Sequence, residues 1–156
     1  MEKRDSLGLQ GQFTLVAKHD DGEVFATREI VNLIMDAGED EVAQMIIGAA
    51  SDKFTWIAVG TSTTEPDDAQ TALIAESTTN GGARKEDETP EATANVATIA
   101  VTFTFTDALA LTEVGLLNAS SAGDMMSRQI FDVINVGEDD SLTATWNIRT
   151  GVWPRT

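Results

Sequence analysis

Apolar and polar residues alternate with period two along much of this chain, and the alternation predicts strands. In QFTLVAK, Phe13, Leu15 and Ala17 are interleaved with Gln12, Thr14 and Lys18, as on a half-buried strand. Asp21-Gly22 is a tight-turn signal and a second strand begins near Glu23, so this first unit reads as a hairpin. The clearest strand is NVATIAVTFTFT, with Ala97, Ile99, Val101, Phe103 and Phe105 on one face. Thr98, Thr102, Thr104 and Thr106 take the other face, where β-branching keeps strand propensity and the hydroxyl stays wettable. ALTEVGLLNA, MMSRQIFDVINV and SLTATWNIRT follow, the last with Leu142, Ala144, Trp146 and Ile148 facing one way. ASSAGD and GEDD, lying between them, are turn chemistry.

The period changes in one place. Asp36-Ala37-Gly38 breaks the strand pattern, and a helix is predicted near residues 39–50, with Val42, Met45, Ile46 and Ala49 on its apolar face. Glu39, Asp40 and Glu41 crowd its first turn, where carboxylates suit the helix dipole. FTWIAVG is apolar on both faces and reads as a strand covered on each side. A Thr- and Asp-rich loop unfit for a core comes next, then a short ALIAES segment. NGGARKEDETPEAT, with its Gly-Gly, charge cluster and proline, reads as an exposed, mobile loop. About eight strands with a single helix argue against a parallel α/β sheet. The expected fold is mainly β: an antiparallel two-sheet β-sandwich, jelly-roll-like. Residues 1–156 read as one domain, with flexible ends at about 1–8 and 150–156.

Charge narrows the function. Ten basic residues face 26 acidic ones, a formal net charge of −16, and the lysines are Lys3, Lys18, Lys53 and Lys85 alone. Such a surface repels nucleic acid, whose binding depends on cations placed against phosphate. Self-repulsion on this scale is relieved in molar salt, where the Debye length falls to about 3 Å. Acidic surface, scarce lysine and abundant Ala, Thr and Val predict a salt-adapted protein. No apolar run approaches the roughly 18 residues of a membrane helix. MEKRDSLGLQ is not followed by an apolar signal region, so no membrane or secretory role is expected. The absence of cysteine removes thiolate chemistry and Cys-bound zinc.

Little of the remaining polar chemistry is specific. The loop Gly60-Thr61-Ser62-Thr63-Thr64 lacks the Gly-Lys-Ser/Thr of a phosphate loop and runs into Glu65-Pro66-Asp67-Asp68, which repels phosphate. Asp67, Asp68 and the Asp20-Asp21 turn offer hard oxygen ligands, but their spacing matches no calcium loop, and solvated turn acids are the expectation. His19, the sole histidine, is adjacent to Asp20, yet strand neighbours point to opposite faces, and no G-x-S-x-G elbow exists. Glu113, inside the apolar ALTEVGLL, either points outward or is held by a partner such as Arg128. No catalytic, cofactor or metal residues are therefore assigned. Trp56 and Trp146 fall in strand patterns and are expected in the core. Trp153, beside Pro154 and Arg155, either docks on a neighbour or folds back on its own domain. The candidate interaction residues are Trp153, Arg155, Thr61, Thr63, Asp67 and Asp68.

Taken in order, GQFTLVAKHDDGEV, VNLI, IAVGTSTT with TAL downstream, VTFTFT, LTEVGLLNA and SLTATW resemble a family of small structural proteins of tailed viruses. These occur in bacteriophages and archaeal tailed viruses. The resemblance spans roughly residues 9–148, and Ser62 departs from it, standing where the family pattern has glycine. It implies a non-enzymatic virion subunit, a capsid-surface decoration or turret protein, assembled in the host cytoplasm. With the acidic composition, the host expected is a halophilic archaeon. The implied partners are further copies of the chain, a trimer among the options, and other virion proteins such as major capsid or tail proteins. A tail, baseplate or fibre-associated subunit is the alternative within the virion. Outside that class stand a host-glycan-binding adhesion module and an acid-catalysed carbohydrate hydrolase. Heptad or collagen-like repeats, the mark of an extended fibre, do not occur.

Overall fold

The computed structural model describes residues 8–151. Its strands are β1 (Leu9–Lys18), β2 (Val24–Ile34), β3 (Trp56–Gly60), β4 (Lys85–Glu86), β5 (Glu91–Thr93), β6 (Val96–Thr104), β7 (Leu109–Leu117), β8 (Met125–Val136) and β9 (Ser141–Thr150); the helix is α1 (Asp36–Ile46). All pairings are antiparallel, and the nine strands form one hydrogen-bonded sheet in the order β4-β3-β7-β8-β2-β1-β9-β6-β5.

The period-two strands behave as their patterns dictate. Phe13, Leu15 and Ala17 of β1, Ile99, Val101 and Phe103 of β6, and Leu142, Ala144, Trp146 and Ile148 of β9 all point into one core. Phe13 lies directly across from Trp146, their rings 5.1 Å apart and tilted by 43°. Ile57, Val59, Leu111, Val114, Leu116, Phe131 and Ile134, from the other half of the sheet, pack into that same core. The sheet therefore curls, and its two halves enclose apolar surface that neither buries alone.

Two joints produce the curl. At one, β2 and β8 pair only at Leu33–Arg128 and Ile34–Ser127. Beyond them β8 bulges: β7 advances from Leu111 to Glu113 while β8 passes from Ile134 to Ile130. Arg28 fills the splayed joint, donating from Nε to the Asp132 carbonyl and from Nη2 to the Val133 carbonyl, both at 3.1 Å. At the other joint the sheet's opposite edges meet. Strand β4 lies at one edge and β5 at the other, yet only residues 87–90 separate them in the chain. Lys85 Nζ donates to the Thr102 carbonyl, and the Asp87 carboxylate accepts from Ala100 N–H, each at 2.8 Å. The charged KEDETPEAT stretch, expected to be a plain exposed loop, thus supplies both edge strands.

The helix starts three residues earlier and ends earlier than its periodicity predicts. Asp36-Ala37-Gly38, expected as a breaker, is its first turn. Gly38 is buried against Met126, whose Cα would lie 2.7 Å from a Cβ at that position, so only glycine lets the helix seat this closely on β8. Val42 and Met45 are half-buried as expected, but Ile46, placed on the buried face by the pattern, is 80% exposed, and Ala49 lies exposed beyond the helix end. Among the described residues no helix is long and apolar enough to cross a membrane.

Candidate functional site

Strand β3 shows why a long polar loop follows FTWIAVG. Its inner residues Ile57 and Val59 join the main core, and its outer residue Ala58 lies in a second apolar cluster with Met35, Leu73, Leu117 and Met125, against which Trp56 packs. Leu73 belongs to the loop itself. The segment 61–75 leaves the sheet and returns to its own starting point, with Thr61 N–H donating to the Ala75 carbonyl at 3.0 Å and Ser77 N–H to the Val59 carbonyl at 2.8 Å. It is a closed-neck Ω-shaped loop that folds over the outside of β3 and β7 and carries its own apolar plug.

A buried ion pair anchors the loop from below. Arg128 Nε donates to Glu113 Oε2 at 2.8 Å, and both side chains are 0% exposed. Glu113 also accepts the backbone N–H groups of Ile74 (3.1 Å) and Ala75 (2.7 Å), while Arg128 Nη1 donates to the Gln70 side-chain oxygen at 3.0 Å. The apolar setting of Glu113 therefore reflects its partner Arg128, one of the two expected outcomes. A carboxylate enclosed by three donors and shielded from water cannot reach a substrate. Gly60 leaves room for this arrangement: a Cβ there would come within 2.3 Å of Glu113 Oε1 and 2.4 Å of the Ala75 carbonyl. The glycine that ends β3 provides space for a carboxylate.

The loop's candidate residues fall into different roles. Asp67 accepts Ala69 N–H at 2.9 Å, closing a turn. Asp68 offers its backbone carbonyl to Asp36 N–H at 3.0 Å, satisfying a free donor at the start of α1 that no side chain caps. Thr61 is exposed at the neck. Thr63 lines a shallow hollow of 530 Å³ with Glu65, Thr112 and the β8 bulge from Ile130 to Val133. Ser62 Oγ accepts from Thr64 N–H at 3.0 Å and the Ser62 carbonyl accepts from Thr112 Oγ1 at 2.8 Å, so the serine side chain stabilises this bend. Trp153 and Arg155 lie outside the described residues, as do most of the chain ends expected to be flexible.

Two further ion pairs were not legible as pairs. Arg84 forks onto Glu76 with two contacts of 2.8 Å and reaches the carbonyls of Ala119 (2.7 Å) and Ala122 (3.0 Å), tying the 76–84 segment to the β7–β8 turn. His19 bonds Asp140, not its neighbour Asp20, at 2.9 Å, and stacks on Phe25 with ring centroids 4.2 Å apart. The register that sets Lys18 opposite Ser141 brings the two turns together. The hydrogen bond to Asp140 raises the His19 pKa above 6.5, and the same bond, helped by Gly137 N–H, lowers that of Asp140 below 3.8. Trp146 is buried in the main core, and Trp56, partly buried, packs against the second apolar cluster. Among the described residues no three His, Asp or Glu side chains converge as a metal would require. No protein-family model matches the chain, and no curated protein matches it in sequence.

Proposed function

We propose that this chain is a non-enzymatic structural subunit of a tailed virus particle, a capsid-surface decoration or turret protein of a virus with a halophilic archaeal host. The observation that carries the reading is the collinear resemblance across residues 9–148 to small structural proteins of tailed viruses. The geometry is consistent with it, because the most conspicuous polar residues act within the chain. Glu113, Arg128 and Gln70 hold a loop, Arg84 and Glu76 hold another, and Arg28 closes a sheet joint. We also read the two halves of the curled sheet as the layers of a β-sandwich, a module suited to repeated packing in a shell. The absence of fibre repeats favours the capsid over the tail.

The subunit is proposed to act as a homo-oligomer bound to other virion proteins. Its exposed apolar side chains, Val31 (72%), Val24 and Val133 among them, supply surface for such contacts. Light scattering after size-exclusion chromatography, at about 2–3 M and about 0.1 M salt, tests the reading, since screening differs greatly between them. A discrete oligomer at high salt that dissociates or unfolds at low salt is expected. A chain that stays monomeric and equally stable in both would overturn the salt-adapted reading and count against self-assembly.

A further inference from the structure

Helix α1 seats tightly on the sheet at its first turn, where Gly38 lies against Met126. Farther along, Val42 and Met45 are only half-buried, and they roof a cavity of 260 Å³. Its floor belongs to the core: Ile99, Leu116, Met126 and Ile148, none more than 8% exposed. Room exists here because the inward side chains of β6 shrink toward this end, from Phe103 to Ala97, which pairs with Ile148 and also lines the cavity.

The mouth differs from the floor. The connection between α1 and β3 supplies Phe54, half-buried, and then Ser51 and Lys53, both exposed. The chain has 26 acidic residues, yet among those described none lines this cavity, whereas one of its lysines does. Asp52, next to Lys53 in sequence, is not part of the wall. The Lys53 ammonium has no ion-pair partner among the described residues. Water against the apolar floor gains few hydrogen bonds, so an apolar group displaces it favourably. An anion at the mouth meets an unpaired cation.

We propose that this cavity binds a small amphiphile with an unbranched apolar tail and an anionic head, the tail against Ile99, Leu116 and Ile148 and the head at Lys53 and Ser51. With a methylene taken as about the size of a water molecule, about 30 Å³, the 260 Å³ cavity accommodates a tail of about eight carbons. Lys53 acts as a point charge and Ser51 as a hydroxyl donor, so the sign of the head's charge matters more than its shape. The proposal is independent of the virion reading.

The test is NMR of the full chain carrying carbon-labelled methionine methyl groups, titrated with octanoate at fixed ionic strength. Met45 and Met126 line the cavity, whereas Met35 and Met125 lie in the second apolar cluster. Met45→Leu and Met126→Leu assign the two cavity resonances. Octanoate is expected to shift these two saturably and to leave those of Met35 and Met125 in place. Octyltrimethylammonium, with a similar tail and the opposite charge, should bind about tenfold more weakly, although a net charge of −16 attracts it. Lys53→Gln, a change at an exposed position, should weaken octanoate about threefold, the scale of one partly exposed ion pair, and narrow the gap between the two amphiphiles. Equal affinity for both amphiphiles in the wild type, or octanoate shifts that spare Met45 and Met126, would overturn the proposal. So would an octanoate affinity unchanged in Lys53→Gln.

Discussion

Arg128 and Glu113 meet at 2.8 Å with neither side chain reaching solvent, and Glu113 also holds the N–H groups of Ile74 and Ala75. One buried carboxylate therefore joins β7, β8 and the returning arm of the 61–75 loop. Glu113→Ala leaves a buried guanidinium without its counter-ion and should cost about 3–5 kcal/mol. Replacing both partners, as Glu113→Leu with Arg128→Met, should cost less than Glu113→Ala alone. Arg128 Nη2 has no hydrogen-bond partner among the described residues, so the native pair is itself incompletely satisfied. Denaturant midpoints of the two variants, set against the wild type, check this. A loss below about 1 kcal/mol in Glu113→Ala would mean that the pair does not anchor the loop.

Gly60→Ala pushes a methyl group into Glu113 Oε1 and the Ala75 carbonyl. Overpacking of this kind costs about 1–3 kcal/mol. The damage should appear first as faster proteolysis within residues 61–75, because that carboxylate holds the loop. Gly137→Ala is the control, as its added carbon would meet only Asp140 Oδ2, at 3.8 Å. Equal tolerance of both substitutions would refute the steric role of Gly60.

How much of this could be read beforehand depends on the range of the interaction. Alternation in β1, β6 and β9 reports which face is buried, a local property, and the inward residues of those strands are the core residues observed. The two apolar faces of FTWIAVG likewise announced a second cover, although not that Leu73, fifteen or so residues on, supplies it. The start of α1 was hidden because Gly38 looks like a breaker in isolation. Its justification is close contact with Met126, far along the chain. Strands β4 and β5 carry no period at all: their residues are exposed, and only pairing, of β4 with the distant β3 and of β5 with the adjacent β6, makes them strands. Glu113 stood out because an acid interrupted an apolar run. Asp140 gave no such signal, being one acid among several in GEDD.

The His19–Asp140 contact makes stability depend on pH in a defined window. His19 has its pKa raised in the fold, so its contribution is complete below 6.5 and lost as pH climbs through the raised value. Asp140 has its pKa lowered, so its contribution is complete above 3.8 and lost as pH falls through the lowered value. The stability difference between wild type and His19→Gln should therefore form a plateau between these limits and shrink on both sides. An NMR titration of the sole histidine should show a pKa above 6.5 that returns to the ordinary value in Asp140→Asn and is far less affected in Asp20→Asn. A normal wild-type titration would show that the pair does not persist in solution.

Arg28 is the side chain on which the narrow β2–β8 joint of the sheet depends. Strands β2 and β8 share only two register positions, and beyond them the bulge in β8 turns the Asp132 and Val133 carbonyls toward the guanidinium. Hydrogen bonds from a charged donor contribute about 1.5–3 kcal/mol, so Arg28→Met should lower stability by about that much. Arg28→Lys should rescue it only in part, because an ammonium cannot span two successive carbonyls as a planar fork does. Amide hydrogen exchange gives the sharper readout. Exchange should quicken along β2 and at residues 130–134, while the β1–β9 ladder, paired from Leu9 to Lys18, keeps its protection. Uniform acceleration across both ladders would instead mean that Arg28 supports the whole core and that the joint does not open by itself. Opening would also uncover the edge of β2, where Val31 is already 72% exposed. An unpaired apolar edge invites strand pairing between molecules, so Arg28→Met should self-associate at concentrations where the wild type does not gain mass.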